Sequence, residues 1–233
     1  MYTTLFLAQA LLQGLLLAWL VRIRRRTGAA AAAVLMLPQL GLVYDNLMVA
    51  LGSFIGLGPL LEALSWPRFW THWFCGSWLI IACGSILRLA GFDWARRRWV
   101  MGAFCLLTAA LMLHDLPEFW SNRLYPVCQF DLVRYSTSVA ADKFCLPDQL
   151  VVKGEPPFAA IVTSFVVIGT GIVLLARRGF PWMLAGAVLM LLSATPPAMP
   201  YKLDNLGEVL IAGGCIWAIA RFARDRTRAA GAK

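Results

Sequence analysis

TTLFLAQALLQGLLLAWLVRIRRR, Thr3–Arg26, decides the fold class. No charge interrupts it from Thr3 to Val21, and it then closes on Arg22, Arg24, Arg25 and Arg26. A helix that crosses a bilayer needs roughly 20 apolar residues. The segment lacks a basic leader, is too long for the core of a signal peptide, and ends in a stop-transfer flank instead of a small-residue cleavage site. It therefore reads as a first membrane span.

The same pattern recurs along the 233 residues. Apolar runs between charged or Pro/Gly-rich breaks predict spans near 3–22, 29–51, 67–89, 99–116, 157–176, 180–197 and 204–222. The composition agrees: 60% of residues are hydrophobic and only 14% charged, with a mean hydropathy of +0.70. A soluble domain carries roughly 25% charged residues, so here lipid must replace the missing polar surface. The expectation is an all-α, polytopic membrane protein of about seven helices, one domain over 1–233 with an outer loop at 117–156. Segment 52–66, with Gly52, Gly56, Gly58 and Pro59, is too short and Gly-rich to span and is expected at the interface or as a re-entrant turn.

Charge sets the orientation. With seven spans, Arg22 to Arg26, Arg88, Arg96 to Arg98, Arg177, Arg178, Arg221 to Arg228 and Lys233 fall on one side, which makes it strongly basic. Arg68, Arg123, Arg134, Lys143, Lys153, Lys202 and all acids except Asp93 and Asp225 fall on the other. The basic side is cytoplasmic by the positive-inside rule, which puts the N-terminus outside and the C-terminus in the cytoplasm. The net charge of +9 is thus a topology signal and an attraction for anionic lipid, and does not point to nucleic acid. A plasma membrane or a bacterial inner membrane is the expected location.

Cys128 and Cys145 are the two cysteines outside predicted spans, both in the outer loop. An oxidising compartment would join them and fix the loop as a lid; the competing account is two free thiols. Cys75, Cys83, Cys105 and Cys215 read as small packing residues within spans.

Ionisable residues inside a bilayer are expensive, so each one is a candidate functional residue. They gather in one layer. Tyr44, Asp45 and Asn46 lie toward the outer end of the second span. Arg68 and His72 are four residues apart, hence on one helical face, at the start of the third. His114 and Asp115 close the fourth, Asp204, Asn205 and Glu208 open the seventh, and Glu62 sits in the short segment between. At about 1.5 Å per residue, all fall in roughly the outer third of the membrane. Trp73 and Trp78 lie at the same level and could wall a cavity or stabilise a cation. The bland accounts are interhelical glue for Asp45 and Asn46, snorkelling for Arg68 and a simple helix end for His114 and Asp115.

The reading is an outward-facing polar pocket in which Asp45, Glu208, Asp204 and His72 carry acid–base chemistry. Tyr44, Asn46, Glu62, Arg68, Trp73, Trp78 and Asn205 would contact substrate, with Arg68 suited to an anionic headgroup. The expected substrate is a hydrophobic lipid or isoprenoid, and the expected activity that of a membrane lyase, isomerase or transferase. In outline the arrangement resembles the heptahelical terpene cyclases, in which acids on different helices protonate an alkene or epoxide. That resemblance is one of architecture, with no matching motif and no residue roles to carry over. His72 and His114 are weak metal-ligand candidates: heptahelical zinc hydrolases use three histidines and this chain has two. Neither a metal nor another cofactor is expected. The dinucleotide, P-loop, nucleophile-elbow and HExxH motifs are absent.

Two alternatives come from other classes. A lipid or small-molecule transporter would need a polar route through the inner half, which the sequence lacks. A heptahelical receptor is also compatible with the span count, but the last span has no lysine in its interior for a retinal Schiff base. The sequence does not fix the oligomeric state.

Overall fold

The computed structural model describes residues 2–154, 157–194 and 205–231. It is mostly helical. In chain order the elements are α1 (Tyr2–Thr27), α2 (Ala30–Ile55), α3 (Pro59–Trp70), a π-helical turn (Thr71–Cys75), α4 (Trp78–Leu89), α5 (Asp93–Arg96), α6 (Arg98–Asp115) and α7 (Glu118–Ser121). Strands β1 (Tyr125–Gln129) and β2 (Leu132–Ser136) follow, then α8 (Phe158–Arg178), α9 (Trp182–Ala194) and α10 (Leu206–Gly231).

Five helical stretches are long and apolar enough to cross a membrane: α1, α2, α6 with α7, α8 and α10. The α3–α4 pair passes the same test jointly but bends by 45° at its break, which makes up to six. Helix α9 is apolar and shorter. This is a multi-pass helical membrane protein.

Two local expectations change. The helix expected to begin near residue 67 begins at Pro59, because proline at the first helical position gives up no backbone hydrogen bond. Segment 52–66 is therefore divided between the end of α2 and the first turns of α3, parted at Gly56–Gly58. The loop at 117–156 contains an antiparallel hairpin in which Val127 faces Arg134.

The core lies toward the arginine-rich end, where α1, α2, α4, α8, α9 and α10 contribute Leu20, Leu35, Ile86, Leu174, Met183 and Ile216, all at most 1% exposed. Helices α9 and α10 approach closely: a Cβ added at Gly214 would lie 2.7 Å from the Trp182 carbonyl oxygen. Small residues serve this purpose in membranes, where apolar side chains gain nothing by leaving lipid and packing must supply the attraction.

The hairpin caps the opposite end. Asp131, in its turn, accepts hydrogen bonds from the Tyr2 and Thr3 backbone N–H groups at 2.9 and 3.1 Å. A carboxylate there satisfies orphan donors of α1 and complements its dipole. Phe130 stacks on Tyr2 with ring centroids 4.4 Å apart, and Leu132 joins Tyr2, Phe6, Val49 and Ala50 in a small cluster. Ser53 of α2 donates to the Asp131 carbonyl and accepts from the Val133 N–H. Gly52 beside it must lack a side chain, because a Cβ would overlap the Val133 carbonyl oxygen. The Cys128–Cys145 disulfide is formed and ties β1 to the segment after β2.

Candidate functional site

Asp45 is the centre of the polar layer. It lies on α2 and is 2% exposed. Arg68 of α3 donates from Nε to Asp45 Oδ1 at 2.8 Å, and His72 Nε2 in the π turn stands 3.5 Å from the same oxygen. Asn205, just before α10, donates from Nδ2 to Asp45 Oδ2 at 2.7 Å. Three separate stretches of chain thus converge on one carboxylate. Both of its oxygens are engaged, which offsets the cost of burying the charge.

The local helix explains how two neighbours reach one oxygen. Residues 68 and 72 share a face, but the turn after Trp70 widens to π geometry, a form often found at functional sites. Arg68 is also buried; its Nη1 donates to the Tyr135 carbonyl of β2 at 3.3 Å, and its guanidinium carbon lies 5.4 Å from the Phe69 ring centroid. The hairpin is therefore hydrogen-bonded to the residue that neutralises Asp45.

His72 differs from its partners. Its side chain retains 43% exposure, and it borders a cavity of about 50 Å³. The cavity lies between α2, the π turn, the start of α4 and α10, with Leu35, Leu42, Cys75, Leu79 and Ile211 among its walls. There is room for a few waters or a short stretch of hydrocarbon. Of the described residues bordering it, His72 alone carries a side chain that ordinarily titrates near neutral pH. Glu208, one turn into α10 from Asn205, lies near enough to act on His72 electrostatically.

The remaining sequence candidates are dispersed. Tyr44 donates its hydroxyl to the Leu64 carbonyl at 2.8 Å, fastening α2 to α3. Asn46 is fully buried and donates to the Leu42 carbonyl of its own helix at 2.8 Å. Glu62 lies in the first turn of α3, about 9 Å along the helix from Arg68 at the standard rise. Trp73 is buried against Phe69, with centroids 6.0 Å apart, and Trp78 opens α4; neither borders the cavity, whose walls are mostly aliphatic, with Gln39, Thr71 and Cys75 among them. His114 and Asp115 pair with each other at 2.9 Å at the end of α6. Asp204 lies outside the described residues. Among the described residues no three His, Cys, Asp or Glu side chains gather as a metal site would require, and His72 and His114 belong to separate pairs.

Sequence reasoning weighed ionisable groups and passed over three amides. Gln9 and Gln13 of α1 and Gln39 of α2 are 2%, 0% and 1% exposed. Gln39 Nε2 donates to Gln13 Oε1 at 2.7 Å and to the Gln13 carbonyl at 3.0 Å. Gln39 also borders the cavity, just after Pro38. The signal was present: two glutamines four apart in an apolar span share one face.

Comparison with protein-family models, with curated proteins and with solved structures gives no match to this chain.

Proposed function

We propose that the protein is an intramembrane enzyme that acts on a lipid or isoprenoid-type substrate by acid–base chemistry, with His72 as the proton-transferring group. One observation carries this reading: a histidine held by a buried carboxylate borders a cavity with mostly aliphatic walls. General acid–base catalysis needs an imidazole fixed in orientation yet open to its substrate. Asp45 serves as a positioning residue, since Arg68 and Asn205 leave its oxygens no room for substrate. Glu208 is a second acid from α10. The aliphatic walls favour proton transfer on a hydrocarbon-bearing substrate over stabilisation of a free cation by ring faces.

The reading includes seven crossings of a plasma or bacterial inner membrane, with α9 as the sixth and α10 as the seventh, the N-terminus outside and the C-terminus in the cytoplasm. The tight connection between α8 and α9 and the gathering of arginines at one end of the bundle support this arrangement. Alternation of the charge clusters also requires an odd number of spans.

The test is an untargeted comparison of membrane lipids after expression of wild type and of His72→Gln at equal levels. A lipid consumed or formed by the wild type alone, and formed again by purified protein in nanodiscs, is expected. Unchanged lipid chemistry, accompanied by uptake of an unmodified solute into proteoliposomes, would make the protein a transporter instead.

A further inference from the structure

A second recess opens at the other end of the bundle. It has a volume of about 530 Å³ and lies between the α1–α2 turn, the last turns of α4 and the late turns of α10. Arg88, Arg226, Ser85 and Thr227 border it, and among the described residues no Asp or Glu does. We infer that this basin binds the phosphodiester headgroup of an anionic phospholipid. The inference is independent of the enzyme reading, because the basin shares no residue with the cavity beside His72.

Part of the donor set there is uncommitted, although the Thr227 hydroxyl donates to the Ala223 carbonyl at 3.0 Å. Arg226 is exposed and makes no ion pair or hydrogen bond with the described residues, and the half-buried Ser85 hydroxyl makes none either. Arg88 is held in place by donating from Nε to the Ala95 carbonyl at 2.7 Å and from Nη2 to the Arg97 carbonyl at 3.3 Å, which leaves Nη1 uncommitted. Helix α2 starts at the rim with no side-chain cap and no acid in its first turn. Ala30 and Ala31 border the basin, and the first N–H groups of a helix have no acceptor within it. A cationic fork, a hydroxyl and uncapped amides make the donor set that a phosphodiester accepts from.

The shape selects a lipid over a free anion. Ala31, Leu89 and Ala223 supply an apolar side to the basin. It also lies at the helix ends, at the level where headgroups meet the bilayer, and basic recesses between membrane helices are known lipid sites. A glycerol backbone and its first methylenes fit such a wall; inorganic phosphate gains nothing from it.

The experiment is native mass spectrometry of the detergent-purified protein titrated with phosphatidylglycerol or phosphatidylcholine. Phosphatidylglycerol should be retained in preference, and Arg226→Gln should weaken that preference about tenfold, the worth of one charge-assisted hydrogen bond. Arg22→Gln removes the same charge from the same end, outside the basin, and should have little effect. Both side chains are exposed, so neither change threatens the fold. Equal loss in the two variants means diffuse attraction and overturns the site. Equal retention of both lipids overturns it as well. Full displacement of phosphatidylglycerol by excess inorganic phosphate would make it a free-anion site and overturn the lipid assignment.

Discussion

Two His–Asp pairs stand among the described residues, and they are built differently. His114 and Asp115 are neighbours in sequence, joined at 2.9 Å, with the histidine ring against Phe158 and its side chain 55% exposed. His72 and Asp45 come from different helices, stand 3.5 Å apart, and are joined by Arg68 and Asn205. The shorter contact belongs to the simpler site. Its histidine is half-exposed at the end of α6 and its aspartate is buried, and adjacency in sequence alone brings the two together. The other pair exists only because α2, α3 and the start of α10 pack in one arrangement, and its histidine borders a cavity. A composite site of this kind is the better mark of function, because separate helices hold a buried ion pair against a histidine that stays open to a cavity.

The comparison can be broken most sharply at the histidines. His72→Gln should lower conversion of the lipid substrate by about 100-fold or more, the usual contribution of a general acid or base. His114→Gln should leave it near the wild-type rate in the same chromatographic assay of lipid product. A reversal of the two results would move the site to the end of α6.

Stability separates the pairs next. Arg68→Met strands the Asp45 carboxylate among apolar neighbours and should cost about 3–5 kcal/mol in thermal or denaturant unfolding in detergent. Adding Asp45→Asn to that variant should return much of the loss. His114→Gln should cost less, about 1 kcal/mol, because the glutamine amide can still donate to the buried Asp115 carboxylate from its half-exposed position. Asn205→Ala removes one hydrogen bond to a carboxylate and should fall between, at about 1.5–3 kcal/mol.

A smaller effect of opposite sign is expected between α1 and α2. Gln9 buries both polar atoms of its amide without a partner among the described residues. Gln9→Leu should raise the unfolding midpoint, with a gain of about 1–2 kcal/mol from removing an unsatisfied group. A loss of stability instead would mean that the Gln9 amide has a partner in the membrane, such as a buried water.

Much of this was legible in the sequence, and for a physical reason. Lipid imposes length and apolarity on every span, so α1, α2, α6, α8 and α10 could be drawn from composition alone. The gathering of Asp45, Arg68, His72 and Asn205 followed from depth, since residues at equal distance from the helix ends lie in one layer. Which members of the layer touch was not readable. Trp73 and Trp78 share the level of His72 but not its cavity, because rotation about each helix axis is set by packing. The π turn depends on tertiary contacts, and nothing in the residues Thr71 to Cys75 announces it. The hairpin was missed because its strands are five residues each, and one face is buried only by docking on Gly52 and Tyr2.

The bond from Tyr2 to Asp131 spans 129 residues, and that from Asn205 to Asp45 spans 160. During synthesis the first helix leaves the ribosome long before its cap exists, and Asp45 precedes Asn205 by 160 residues. Arg68 and His72 must therefore hold the Asp45 carboxylate by themselves until Asn205 is made, and the site closes only as α10 follows. Ribosome-bound chains halted before α10 would hold every helix of the cavity beside His72 but one, with Asp45 still half tied.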